Sequence, residues 1–345
     1  MASGDADREL VDAAQAGSVA RVSEILACGA DPRSCNSAAL RLAAAYGHVE
    51  CARLLLPVSD PMAEDSRALR EAARNGHVAC LRLLMPVSDP KAEDSLALLW
   101  AAAYGHVECA RLLLPVSDAK AANSRALRLA ANNGHEECVR LLVPASNPKE
   151  ENSIALRWAA GGGHEECVRL LLPVSDPKAL DSEALRLAAC NGHTPCAKLL
   201  LPVSTPKAMD SEALRMAACN GHAPCVDLLL PLSNPKALNS EALRIAAENG
   251  HVECVRILLA ASGPLCEIDG LLEYVVAAGR AKVAALLIEE EPRLFDGLNL
   301  PKCLAEAIEN SHGDLASYLS SIIDQSELLG SVPDRSANNR WVARL

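Results

Sequence analysis

Eight histidines in this chain each stand three residues ahead of a cysteine: His48 with Cys51, His77 with Cys80, His106 with Cys109, His135 with Cys138, His164 with Cys167, His193 with Cys196, His222 with Cys225 and His251 with Cys254. Imidazole and thiolate at that spacing share a helix face, and both are zinc ligands. Zinc, however, needs four ligands converging at about 2.3 Å. Successive pairs lie 29 residues apart in sequence. In stacked helices that is one packing distance, ~10 Å. The same separation forbids disulfides, whose Cα atoms must approach within ~7 Å. These cysteines therefore read as small core hydrophobes and the histidines as braces for a turn between helices; no metal and no cofactor is expected. Fourteen mostly unpaired cysteines indicate a reducing, cytoplasmic compartment. Cys28, Cys35, Cys266 and Cys303 lie off the register, with nothing nearby in sequence to activate them.

Arginine recurs with the same period, in two columns. One comprises Arg41, Arg70, Arg128, Arg157, Arg186, Arg215 and Arg244, the other Arg53, Arg82, Arg111, Arg140, Arg169 and Arg256. A guanidinium ladder suits an acidic peptide or a phosphate. The competing reading is a solvated ladder paired with Glu50, Glu108, Glu137, Glu166 and Glu253, or with Glu183, Glu212 and Glu241 three residues before an arginine, as charges on a helix surface pair. The abundance of matching glutamates favours pairing. Arg41, Arg70, Arg128 and Arg157 lack those partners, so an anion site stays open there.

Departures from the period carry more information, because a repeated framework stays uniform where it builds and varies where it meets a partner. Leu99 replaces an arginine, beside Leu96 and Trp100, with Tyr104 one turn later; Tyr46 and Trp158 fall at comparable places two repeats away on either side. Tryptophan and tyrosine are the residues most enriched at binding hot spots. Trp100 and Trp158 can equally fill gaps between repeats, since Leu42, Leu129 and Leu187 occupy the same slot. The expected partner-contacting set is Tyr46, Arg70, Leu96, Leu99, Trp100, Tyr104, Arg128 and Trp158.

The elements that position these residues are legible from punctuation. Gly-His recurs every 29 residues from Gly47 to Gly250, and a serine opens each of eight repeats, from Ser37 to Ser240, together covering residues 37–268. The repeat opening at Ser182 reads SEALRLAACNGHTPCAKLLLPVSTPKAMD. Ser182 can cap a first helix whose positive end Glu183 favours. Leu185, Ala188 and Ala189 form its apolar stripe, and Asn191-Gly192 stops it. A second helix runs through Cys196 to Leu201 and ends at Pro202. The segment PVSTPKAMD is either a turn or the start of an extra helical turn at Pro-Lys.

This pattern resembles the ankyrin repeat, whose core T-P-L-H-x-A-A-x-x-G-H-x-E-V-V-x-L-L-L is matched by S-x-A-L-R-x-A-A-x-N-G-H-x-E-C-V-R-L-L-L. The match is close at Asn249-Gly250-His251-Val252-Glu253-Cys254-Val255. The resemblance extends from an N-terminal cap, Glu9 to Gly17 and Ile25 to Asp31, to weaker copies at Val275 to Leu287 and Leu304 to Leu319. It places each cysteine at the family's buried valine. It implies an all-α, ankyrin-like solenoid of about eleven stacked helix pairs, roughly 100 Å long at ~10 Å per step. Its parts would be a capping repeat at 1–36, eight regular repeats at 37–268, degenerate caps at 269–323 and a flexible tail at 324–345 with Trp341 as an anchor. Two departures stand out. Four residues are missing from the family's 33, which shortens or removes the protruding β-hairpin, and TPLH is gone.

Composition closes off other classes. Half the residues are apolar but only 2% aromatic, so Ala, Leu and Val must build the core, and 44 acids against 33 bases leave a net charge of −11. That balance argues against nucleic acid as a partner. The start, Met1 to Gly17, lacks an apolar signal core, and the longest apolar stretch is about half a membrane span. Phosphate-loop, dinucleotide-fold, zinc-protease and nucleophile-elbow motifs are missing; the two HEEC strings lack a second histidine. The expectation is a monomeric, non-enzymatic scaffold or adaptor whose first-helix face binds an acidic or amphipathic protein segment. The alternative is an anion, phospholigand or acidic-peptide sensor using the Arg columns; the resemblance to ankyrin arrays further implies a host-directed effector adaptor, with residues 324–345 as the candidate segment for holding other machinery.

Overall fold

The computed structural model describes residues 3–262, 271–290 and 300–330. Twenty-two α-helices among them follow one another as eleven antiparallel pairs, with no strand among the described residues. The chain divides into two compact parts, residues 1–179 and 180–345. Within the first part, each first helix packs on the first helix of the next pair and each second helix on the next second helix, from Ser3–Gln15 and Val19–Ala27 up to Glu150–Gly161 and Glu165–Leu171. The second part repeats this stacking from Ala208–Cys219 to Gly313–Gly330. The proposed tail anchor Trp341, like Cys266, lies outside the described residues.

Small residues make the close stacking feasible. In the first helix Ala63–Arg74, Ala68, Leu69, Ala72 and Ala73 are buried, as are Cys80, Leu81 and Leu84 in the short second helix Val78–Leu84. Each first helix ends in a Schellman motif. In the third repeat the His106 amide donates to Ala101 O at 2.8 Å and the Gly105 amide to Ala102 O at 3.3 Å. Gly105 sits at φ +75°, where a side chain is strained. A second constraint acts on the same atom, because a Cβ there would lie 2.6 Å from Nδ1 of His135 in the next repeat.

That contact revises the role expected of the histidines. His106 reaches back to Arg74 O (2.9 Å), His135 to Ala103 O (2.9 Å) and His164 to Asn132 O (2.8 Å), each locking onto the end of the preceding repeat's first helix. A carbonyl can only accept, so Nε2 carries the proton.

The repeat-opening serines also act differently from the expected helix caps. Each is the last of three consecutive left-handed residues, such as Glu93, Asp94 and Ser95 at φ 47°, 54° and 60°. Left-handed backbone costs an ordinary residue about 1–2 kcal/mol, and Asn and Asp tolerate it best. The middle residue is accordingly Asn36, Asp65, Asp94, Asn123, Asn152, Asp181, Asp210 or Asn239. The serine hydroxyl accepts a hydrogen bond from the backbone 23 residues later: Asp118 N to Ser95 Oγ is 2.8 Å. Asp118 Oδ1 then accepts from Lys120 N at 2.9 Å, and Ser117 Oγ donates to Pro90 O of the previous loop at 3.3 Å. The PVSDPKA segment is thus a 3-10 turn, an Asx turn and a left-handed turn in series, stapled to the start of its own repeat.

Candidate functional site

The expected site residues lie on the first helices of the first part, and the structure gives them three different environments. Tyr46 and Tyr104 close the helices Ser34–Ala45 and Ala92–Ala103 and are 53% and 50% exposed. Each ring stacks on the histidine two residues on, with centroids 6.4 Å apart. Tyr46 also accepts a weak 3.4 Å bond from Gln15 Nε2. Both tyrosines are ring-stacked and half in solvent.

Leu96, Trp100 and Trp158 are half-buried. Trp100 and Leu96 line a shallow depression of about 550 Å³ with Glu64, Asp65, Arg67, Arg70, Glu71, Arg74 and Glu93. Trp100 lies under two guanidinium groups, Arg70 at 5.9 Å and Arg74 at 5.3 Å from its centroid. Trp158 takes Arg128 at 5.9 Å. Leu99 is buried, 6% exposed, and presents almost no surface. It supports the strip from beneath.

Arg70 and Arg128 are engaged inside the fold. Arg70 bonds Glu93, at the start of the next first helix, at 2.7 Å and the Glu64 carbonyl at 2.6 Å. Arg128 bonds Glu151 at 2.5 Å and the Ala122 carbonyl at 3.4 Å. Asn123 and, after it, Arg128 hold the Glu151 carboxyl below the usual range. Arg186 and Arg215 pair with Glu212 and Glu241, again on the next first helix. The expectation that Arg70 and Arg128 lack partners, and that the others pair within their own helix, is therefore corrected. The buried cost is an Nε without a partner in Arg41, Arg70, Arg128, Arg186 and Arg244.

The missed partners had a signal in the sequence. A helix-one arginine is followed by a glutamate either 23 residues on (Glu64, Glu93, Glu151) or 26 on (Glu183, Glu212, Glu241). Leu99, the one repeat without the arginine, has Ala122 and Arg125 at those places and no glutamate. Charge and partner vanish together. The helix-two arginines match the simpler expectation: Arg53 with Glu50 at 3.3 Å, Arg111 with Glu108 at 3.4 Å and Arg256 with Glu253 at 3.5 Å, all on exposed faces.

Each in-register cysteine is fully or almost fully buried. Burial pushes the Cys80, Cys109, Cys138 and Cys254 thiols up to about 11, away from reactivity. Of the off-register cysteines, Cys28 and Cys35 are exposed and Cys303 is buried. Among the described residues no three His, Cys, Asp or Glu side chains come together as a metal site requires. No described helix is long and apolar enough to cross a membrane.

The family model for ankyrin repeats (3 copies) matches five overlapping stretches, residues 10–94, 69–152, 98–184, 127–210 and 185–269. The chain is an ankyrin-repeat protein. A search among curated proteins finds none that matches it. Ankyrin repeats are in general protein–protein interaction modules. In this ankyrin chain the exposed tyrosines and the Trp100 depression fall on first helices, whereas Val58, Val87 and Val116 are exposed in the connecting turns.

Proposed function

We propose that this ankyrin-repeat protein is a monomeric, non-enzymatic scaffold or adaptor that binds a protein segment on the first-helix face of residues 37–179. The observation that carries the reading is the pair of half-exposed, ring-stacked tyrosines, Tyr46 and Tyr104, at the ends of the first and third repeats' first helices, together with a depression lined by Leu96 and Trp100. Rigid aromatics that keep half their surface in solvent supply large contact area at little ordering cost. Trp158, carried on the helix Glu150–Gly161, adds a further contact along the same face. Buried free thiols suit a reducing compartment, and we assign the protein to the cytoplasm. Acidic or amphipathic partner segments fit best. A guanidinium ladder for phosphoryl groups is disfavoured, because Arg70, Arg128, Arg186 and Arg215 already hold carboxylates.

The test compares partners captured from lysate by the wild-type chain and by a Tyr46→Glu/Tyr104→Glu variant, with folding checked by circular dichroism. Both positions are exposed, so the variant keeps its fold. A partner retained only by the wild type supports the face. Equal recovery moves the site elsewhere.

A further inference from the structure

The depression between the second and third repeats holds seven charged side chains, four acidic and three basic, and the fold pairs five of them internally. Arg67 pairs with Glu64 at 2.5 Å and with Glu71 at 3.6 Å, and Arg70 with Glu93 at 2.7 Å. Arg74 is different. It is exposed, and among the described residues its guanidinium has no carboxylate partner. The remaining unmatched charge, Asp65, lies nine residues earlier, in the left-handed turn that opens the repeat.

Arg74 is also held ready. Its guanidinium carbon lies 5.3 Å from the Trp100 centroid and 5.7 Å from that of Tyr104. Two ring faces fix a long side chain that otherwise loses much rotamer freedom on binding. The same position in the neighbouring repeats is Ala45 and Ala103, and across the eight repeats Arg74 is the only basic residue there. An unpaired, pre-oriented guanidinium beside an apolar floor has the chemistry to take a carboxylate and a large apolar side chain together.

We infer that the Arg74–Trp100–Tyr104 cluster is a subsite for an acidic peptide segment, in which an Asp or Glu carboxylate bonds Arg74 and an adjacent large apolar side chain enters the depression over Trp100 and Leu96. The inference rests on the first-helix face being the protein-binding face. It moves the expected charge contact from Arg70 and Arg128, which are engaged, to Arg74.

The test presents the full chain with a displayed library of random peptides about twelve residues long, about 18 Å if helical, and measures the affinity of enriched peptides by fluorescence anisotropy. Selected peptides should carry Asp or Glu beside a large apolar residue. Arg74→Glu should weaken them roughly tenfold or more, as loss of a charge-assisted bond does. Replacing the peptide's acid by Lys should restore binding to that variant. Arg74 is exposed, so the substitution leaves the fold intact. Peptides indifferent to Arg74→Glu but lost with Tyr46→Glu/Tyr104→Glu overturn the subsite and leave the face reading standing. Peptides indifferent to both overturn both. A library that yields no acidic binders overturns the subsite as well.

Discussion

At the scale of single residues, one side chain type does different work according to its neighbours one repeat away. The helix-one arginines tie a left-handed turn, through its carbonyl, to a glutamate at the start of the next first helix, whereas Arg74, a few positions on, lies against two aromatic faces and has no carboxylate partner among the described residues. Leu99 shows the rule by exception. Leu99→Arg places a guanidinium against Ala122 and Arg125, where no acid waits, and should cost about 2 kcal/mol. Adding Ala122→Glu recreates the arrangement of Arg70 with Glu93 and should recover about 1 kcal/mol. Urea denaturation of the two variants checks this, and an Ala122→Glu addition without benefit would remove the pairing rule. Cysteine reactivity is a second residue-scale expectation. Exposed Cys28 and Cys35 should react with a thiol reagent in the native protein, while buried Cys80, Cys109 and Cys138 should wait for unfolding; time-resolved labelling read by mass spectrometry distinguishes the two classes.

At the scale of elements, the helices were legible and their connections only in part. The 29-residue period, the Gly-His stop and the Ala-Leu stripe mark both helices of each pair, because each rests on local chemistry: a left-handed glycine, a proline, an apolar face. The left-handed turn escaped notice because its sign, an Asn or Asp before every serine, looks like ordinary capping sequence. The Arg–Glu pairs escaped because their partners lie 23 or 26 residues away, beyond the range of helix-surface rules. Of the candidate site, Tyr46, Tyr104 and Trp100 were readable as breaks in a period. Arg74 is such a break too, the only basic residue at its position in the eight repeats, but its lack of a carboxylate partner and its placement against Trp100 and Tyr104 come from the fold alone. The glycine interlock gives the prediction proper to this scale. Gly105→Ala adds left-handed strain and drives a Cβ to 2.6 Å from His135, and should cost about 3 kcal/mol. The Gly105→Ala/His135→Ala double variant should cost much less than the sum of the two single losses, because without the ring the added Cβ no longer clashes. Additive losses in chemical denaturation would argue against the interlock.

At the scale of the molecule, the repeats carry a common pH response. The protonated thiols of Cys80, Cys109, Cys138 and Cys254 are favoured by burial, with values raised from 9.0 to about 11. The folded chain therefore keeps protons that the unfolded chain releases above pH 9. Stability from this source is fully present below the unfolded value and is lost as pH rises towards the folded one. The urea midpoint should hold between pH 7 and 8.5 and fall between about pH 9 and 11; replacing the four cysteines by valine, the family's residue at that position, should flatten the fall. A wild-type midpoint that stays level through that window would contradict the buried-thiol account.

The central claim, that a protein partner lies on the first-helix face of residues 37–179, is tested most directly by site-specific photo-crosslinking. A photoreactive phenylalanine would replace Tyr46 or Tyr104 on that face, and Val58, Val87 or Val116 in the connecting turns, one at a time in the full chain. The account predicts crosslinks to the same partner from the two tyrosine positions and none from the three valine positions. Crosslinks from the turns with none from Tyr46 or Tyr104 would contradict it.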